Sequence, residues 1–172
     1  KNKHVFEMVG NLTPADKYWS FDGQTYGTCT DSLNFPYYSY SLEATLRLSA
    51  IQSDHYGILN TQHRLDLSLG KNWQTFTRST GFIAPTISVN QLLNILYFDS
   101  NRAIINAREA VLGGSGFNNE NSETHVGWNN RRGNPFVGRI YSIRVYSRQL
   151  SDREILINQK IDNARFELGL NI

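Results

Sequence analysis

The run Trp128-Asn129-Asn130-Arg131-Arg132-Gly133-Asn134 places an indole beside three amides and two guanidiniums. That set suits a sugar. A flat aromatic face takes the C–H surface of a pyranose, and planar amide and guanidinium groups hydrogen-bond paired hydroxyls. The competing structural reading makes Trp128 a core residue that closes a strand, with Asn129, Asn130, Arg131 and Arg132 forming a solvated tip. Tyr37-Tyr38, Trp73 and His55-Tyr56 are further aromatic candidates, each also suited to packing at a rim.

Catalysis is less well provided for. A glycosidase needs two carboxylates facing each other across the scissile bond. Here Asp16, Asp22, Asp54, Asp66, Asp99, Glu109, Glu120 and Glu123 are spread singly, and Glu43 stands alone in its stretch. His55 and His63 flank one stretch, but a metal site needs a third ligand. No serine sits in a nucleophile-elbow context. Cys29 is the single cysteine, so no disulfide framework or cysteine-based zinc site forms within the chain. Gly113 to Asn121 is polar and glycine-rich, yet no Gly-Lys-Ser/Thr and no helix follow it, so it is a break between strands and not a phosphate cradle. The expectation is a protein without catalytic residues.

The elements that must position these groups are strands. Leu42, Ala44, Leu46, Leu48 and Ala50 alternate with Ser41, Glu43, Thr45, Arg47 and Ser49 across Tyr40 to Ala50, which predicts one face in the core and one in water. Similar short runs cover Tyr56 to Thr61, Leu65 to Leu69, Trp73 to Arg78, Gln91 to Phe98, Arg102 to Ala107, Glu109 to Leu112 and Glu123 to Trp128, with a hairpin turn at Gly70 to Asn72. In Phe136 to Tyr146, Tyr141, Ile143 and Val145 are predicted on one face and Ile140, Ser142, Arg144 and Tyr146 on the other. The period then changes. Ser151 with Glu154 is a capping box, and Ile155, Leu156, Ile161 and Ala164 follow at helical spacing. About a dozen strands and one terminal helix predict an all-β, two-sheet antiparallel jelly-roll sandwich.

The totals agree. The chain has 172 residues, enough for one core; 19% are charged and the formal net charge is +2, so no strong field favours nucleic acid or an anionic membrane. No stretch is apolar for long enough to insert in a bilayer as a helix. Residues 1–16 end in Thr13-Pro14-Ala15-Asp16 and read as an N-terminal arm or linker, and 17–172 as the domain. The opening Lys-Asn-Lys reads as a processed product or a piece of a longer protein. Asn11-Leu12-Thr13 is an acceptor triplet only where the source glycosylates.

A Gly-x-Ile near the start of the last strand, the run Arg144-Val145-Tyr146-Ser147-Arg148-Gln149-Leu150-Ser151, Glu154-Ile155, and then Asn158, Asp162, Arg165 and Phe166 resemble the C-terminal signature of laminin-G-like domains in the concanavalin A-like lectin/glucanase superfamily. Phe21-Asp22-Gly23 resembles the opening strand of these domains and His125-Val126-Gly127-Trp128 the penultimate one. Asp99 and Asn106 fall where the family has a glycine-bearing hairpin, but both glycines are missing. The helix-ending version is similar to that of bacterial surface and phage virion proteins. The resemblance implies a non-catalytic carbohydrate-binding or adhesion module, located extracellularly, at the cell surface or in a virion. Its implied partners are a glycan or surface polysaccharide and other chains of a larger assembly. It also implies a calcium ion at the sandwich rim, where Asp22, Asp99 and Asn119 are the places to look; the same residue types are also plain turn formers. The alternatives are an assembly or decoration module without a glycan site and, third, a glycoside hydrolase of the same fold.

Overall fold

The computed structural model describes residues 7–10, 13–15, 17–29, 41–50, 56–61, 65–70, 75–78, 81–83, 93–98, 102–106, 108–110, 112–113, 123–129 and 134–172. In chain order these form β1 (Glu7–Val9), β2 (Thr13–Pro14), β3 (Trp19–Asp22), β4 (Tyr26–Cys29), β5 (Ser41–Leu48), β6 (Tyr56–Thr61), β7 (Leu65–Gly70), β8 (Thr75–Arg78), β9 (Gly81–Ile83), β10 (Leu93–Phe98), β11 (Ala103–Ile105), β12 (Arg108–Ala110), β13 (Leu112–Gly113), β14 (Thr124–Val126), β15 (Trp128–Asn129), β16 (Asn134–Pro135), β17 (Val137–Tyr146) and α1 (Asp152–Phe166). An eight-stranded sheet runs β1-β4-β14-β6-β7-β8-β9-β13 and a seven-stranded sheet runs β12-β11-β10-β5-β17-β3-β2; β15 and β16 pair by themselves. The expected two-sheet antiparallel sandwich with one C-terminal helix is what forms. β7 and β8 pair antiparallel with Gly70 opposite Thr75, while Lys71 and Asn72 of the expected turn lie outside the described residues. Among the described residues, no helix is long and apolar enough to cross a membrane.

The stretch read as an arm contributes to both sheets, since β1 pairs with β4 and β2 with β3 as edge strands. The β11–β12 hairpin closes without the family's glycine because Asn106 takes φ +49, a left-handed conformation asparagine tolerates. The strand expected over Glu123 to Trp128 is broken at Gly127, whose φ is +76, and Trp128 starts a separate hairpin.

Three further expectations are corrected. Leu42, Ala44, Leu46 and Leu48 do enter the core, but the opposite face of β5 is not wet: Ser41, Glu43 and Thr45 are buried as well. The cover is α1, which lies on that face. The helix keeps its capping box, with the Ser151 side chain accepting from the Glu154 N–H and the Glu154 carboxylate accepting from the Ser151 N–H. Arg148, with Ser151, holds the Glu154 carboxyl down to about 2. However, α1 buries Ile155, Gln159, Asp162 and Phe166, and it exposes Leu156, Ile161 and Ala164. Its inner face is mixed, with Gln159 and Asp162 beside Ile155 and Phe166, because the strand face it covers is polar.

The third correction is in β17. Its register against β5 shifts between Ile140 and Ser142: Ile140 lies opposite Leu46, Ser142 opposite Thr45 and Ile143 opposite Ala44. Directly paired residues share a face, so Ile140 joins Ile143 and Val145 on the core side. Tyr141 is the extra residue of a β-bulge. It turns outward, where its ring meets Tyr18 at 5.4 Å and Phe166 of α1 at 5.3 Å.

Candidate functional site

The outer face of the eight-stranded sheet, remote from α1, carries the aromatic cluster. Its register sorts the residues. Gly27 pairs with both Met8 and Val126, and this row faces the core together with the buried Cys29 and Thr124. Tyr26 and Thr28 of β4, and His125 of β14, therefore face outward. Gly127 then takes the chain out of the sheet. A side chain there is excluded twice over: φ is +76, and a Cβ would stand 2.4 Å from the Phe21 ring. The turn is fastened by hydrogen bonds from Gly127 N–H to the Ile58 carbonyl at 3.1 Å and from Phe136 N–H to the Gly127 carbonyl at 2.9 Å.

The consequence is where Trp128 lands. Its indole stacks on the Tyr26 ring with centroids 5.0 Å apart and planes 29° from parallel. Both rings are half-buried. The Tyr26 ring also meets the His125 imidazole at 6.3 Å. His125 is buried, its Nε2 is 3.5 Å from the Glu123 carboxylate, and among the described residues its Nδ1 has no hydrogen-bond partner. Burial pushes the His125 pKa down against the opposing charge of Glu123, so the ring is neutral at neutral pH. The cluster is thus an aromatic platform bordered by an uncharged imidazole and one exposed carboxylate. That is chemistry for stacking and hydrogen bonding.

Of the residues expected to bind ligand, Trp128 is placed on this platform and Asn129 pairs with Asn134 in the β15–β16 hairpin. Asn130, Arg131 and Arg132 lie between those two strands and outside the described residues, as do Tyr37 and Tyr38. Tyr26 and His125 were not expected in the site. Period two in Tyr26-Gly27-Thr28-Cys29 would have set Tyr26 opposite the core, but its meeting with Trp128 depends on a strand pairing that no local pattern encodes.

For calcium, Asp22 is described, while Asp99 and Asn119 lie outside the described residues. The Asp22 Oδ1 accepts from the N–H of Gln24 at 2.8 Å and of Thr25 at 2.9 Å, an Asx turn that lowers the carboxyl pKa. Among the described residues no three His, Cys, Asp or Glu side chains gather as a metal cluster.

Two carboxylates do come together elsewhere, under α1. Asp162 accepts from Thr45 Oγ1 at 2.7 Å, Ser142 Oγ at 2.7 Å and both terminal nitrogens of Arg144. Burial opposes its charge, but those bonds outweigh burial and hold the carboxyl below the usual range. Glu43 accepts from Tyr146 Oη at 3.0 Å and from Asn158 Nδ2 at 2.9 Å, and burial pushes its pKa up. Burial, then the Glu43 charge, raises the Tyr146 phenol to about 12. These groups are bonded to one another and covered by the helix, so they join helix to sheet.

No family model matches the chain, and no curated protein matches it in sequence. Solved structures do. Domain 4 of AbnA, a GH43 extracellular arabinanase from Geobacillus stearothermophilus, in complex with arabinotriose, is similar with a TM-score of 0.63 at 17% identity, over 86% of this chain and 80% of that one. Trypanosoma rangeli sialidase in complex with sialic acid is similar with a TM-score of 0.63 at 16% identity, over 90% of this chain but only 30% of the sialidase. The binding domain of botulinum neurotoxin DC in complex with SialylT gives a TM-score of 0.59 at 11% identity, over 92% of this chain and 46% of that one. At these identities the likeness is one of fold.

Proposed function

We propose that this chain is a non-catalytic carbohydrate-binding module of the laminin-G-like, concanavalin A-like kind, part of a larger extracellular, cell-surface or virion protein. The observation that carries this reading is the Tyr26–Trp128 stack on the outer face of the eight-stranded sheet. It supplies the flat apolar surface a sugar ring needs, and the chain leaving it supplies the amides and guanidiniums of Asn129 to Arg132. Two similar structures support the class of ligand, since one was solved with arabinotriose and another with SialylT. The burial of Glu43 and Asp162 beneath α1 supports the non-catalytic part, because neither carboxylate is presented to a substrate.

The test is a glycan-array screen of the purified protein, run in calcium and in chelator, followed by titration of the best binder. Trp128→Ala and Tyr26→Ala are each expected to weaken binding roughly tenfold or more, which is about 1.4 kcal/mol, and Arg131→Ala to weaken it less. Loss in chelator would add a calcium site. An array silent in both conditions, or unchanged affinity in both aromatic variants, would refute the site.

A second reading, a module that assembles with other protein chains, is favoured by one observation. α1 turns Leu156, Ile157 and Ile161 to solvent, while its polar Gln159 and Asp162 face inward. Isolated apolar side chains on a surface are ordinary, but three along one helix suit an interface. Sedimentation of the wild type beside Ile157→Glu/Ile161→Glu tests this. Self-association that the double variant abolishes is the expected result for an assembly module, and a monomer in both cases speaks against self-assembly.

A further inference from the structure

β1 is the edge of one sheet, and β3 lies beside the two-residue edge strand β2 of the other. A cavity of about 240 Å³ lies there between the sheets, lined by Met8 and Val126 from one sheet and Trp19, Phe21, Ile140, Tyr141, Ser142 and Ile143 from the other. Its origin is legible in the register. On one sheet Gly27 stands between Met8 and Val126 in an inward row and contributes no side chain. On the other, Phe21 pairs with Gly138, again an inward position without a side chain. Two inward positions that would fill the gap thus carry no side chain.

Trp19 marks the mouth. It pairs with Ile140, so the pleat directs it to the core side of its sheet, yet 45% of its surface is exposed. Protein interiors seldom keep voids much larger than a water molecule. Apolar cavities of about 150 Å³ stay dry and accept a benzene ring, and this one is larger and open to solvent on one side. The described wall residues are three aromatics, one methionine, three branched aliphatics and one serine, with no charged group among them. The nearby Ser142 hydroxyl is already donated to Asp162. A sugar or a charged ligand would lose its hydrogen bonds here without replacement. A ring of hydrocarbon character loses nothing and gains contact with Trp19 and Phe21.

We propose that this cleft is a binding site for a small planar aromatic molecule of about the size of indole or naphthalene, separate from the Tyr26–Trp128 platform on the opposite face of the same sheet. The site does not depend on the carbohydrate reading.

Indole itself is the probe, titrated into the uniformly ¹⁵N-labelled full chain and followed by amide and indole N–H shifts. The expected result is saturable shifts centred on Met8, Trp19, Phe21, Val126 and Ile143. Val126→Phe and, separately, Met8→Phe fill the cavity, and each is expected to weaken indole binding at least tenfold. Met8 lies on an edge strand, so that variant keeps the test available if Val126→Phe does not fold. An absence of saturable shifts up to the solubility of indole would overturn the proposal. So would shifts scattered over the surface, or affinity unchanged in a folded filled variant.

Discussion

Gly138→Ala is expected to destabilise the protein by roughly 3 kcal/mol or more, among the largest effects of any single methyl group added to this chain. Gly138 lies in β17, which is flanked by β5 and β3. Its φ is +154, and a Cβ built there stands 2.2 Å from the Arg47 carbonyl oxygen, 3.1 Å from Leu48 Cα and 2.9 Å from Phe136 Cζ. The first two atoms are backbone of β5, the strand that carries Leu42, Ala44, Leu46 and Leu48 into the core. They can retreat only by opening the β5–β17 ladder. The third belongs to a fully buried ring that meets Phe21 edge-on at 5.9 Å. Strain, lost ladder bonds and core displacement therefore add. For a domain of this length, 3 kcal/mol corresponds to a Tm drop of roughly 6 to 12 °C. Gly169→Ala is the control: φ is +70, but nothing lies within 4 Å of the added Cβ. Its cost is the backbone penalty alone, about 1 to 2 kcal/mol. Urea unfolding of both variants checks the pair, and a Gly138→Ala protein within 1 kcal/mol of wild type would contradict the packing account.

The contrast between legible and illegible features follows the range of the interactions that decide them. The capping box of α1 spans Ser151 to Glu154, so four adjacent residues announce it, and the helix starts where they say. The alternation of β5 is equally local, and its apolar face is the core. What becomes of the other face depends on α1, more than a hundred residues later in the chain. No pattern within β5 tells water from a polar helix face. The same missing partner misdirects the helix. Leu156 and Ile161 suggest an apolar inner face, but Thr45, Ser142 and Arg144 require acceptors, and Asp162 meets them. Asn158 and Asp162, which carry the laminin-G-like resemblance, thus act as fold-holding groups. The bulge at Tyr141 is hidden because Ile140 and Tyr141 are both apolar and suit either face. At the candidate site, Trp128 announces itself by type, but Tyr26 and His125 gather around it only through the β4–β14 pairing and the turn at Gly127.

Asp162→Ala is expected to be as damaging as the glycine change, and for an electrostatic reason. Asp162 is fully buried, and its two oxygens take Thr45, Ser142 and both arms of Arg144. Deleting the carboxylate leaves two hydroxyls without an acceptor and the partly buried Arg144 guanidinium without its main counter-ion. Breaking a buried pair in this way costs about 3 to 5 kcal/mol. Asp162→Asn keeps one acceptor oxygen for the hydroxyls but loses the charge and sets an NH2 donor toward Arg144, so its loss is intermediate. Glu43→Gln provides the discriminating comparison. Burial raises the Glu43 pKa, and among the described residues its Oε1 has no hydrogen-bond partner, so the charged form is held at a cost. A neutral amide still accepts from Tyr146 and Asn158, and the change is expected to stay within about 1 kcal/mol. The two acids also act with opposite sign on the pH profile. The folded pKa of Asp162 lies below 3.8, so its contribution is present above that value and is lost as pH falls through the folded pKa. The folded pKa of Glu43 lies above 4.5, so its contribution is present below that value and is lost as pH rises through the folded pKa. Tm measured from pH 2 to 8 should therefore show the steep acid limb weakened in Asp162→Asn, and the decline above pH 4.5 removed in Glu43→Gln. An Asp162→Asn protein with the wild-type profile would mean that α1 is held by its apolar contacts at Leu150, Ile155 and Phe166, and not by the carboxylate.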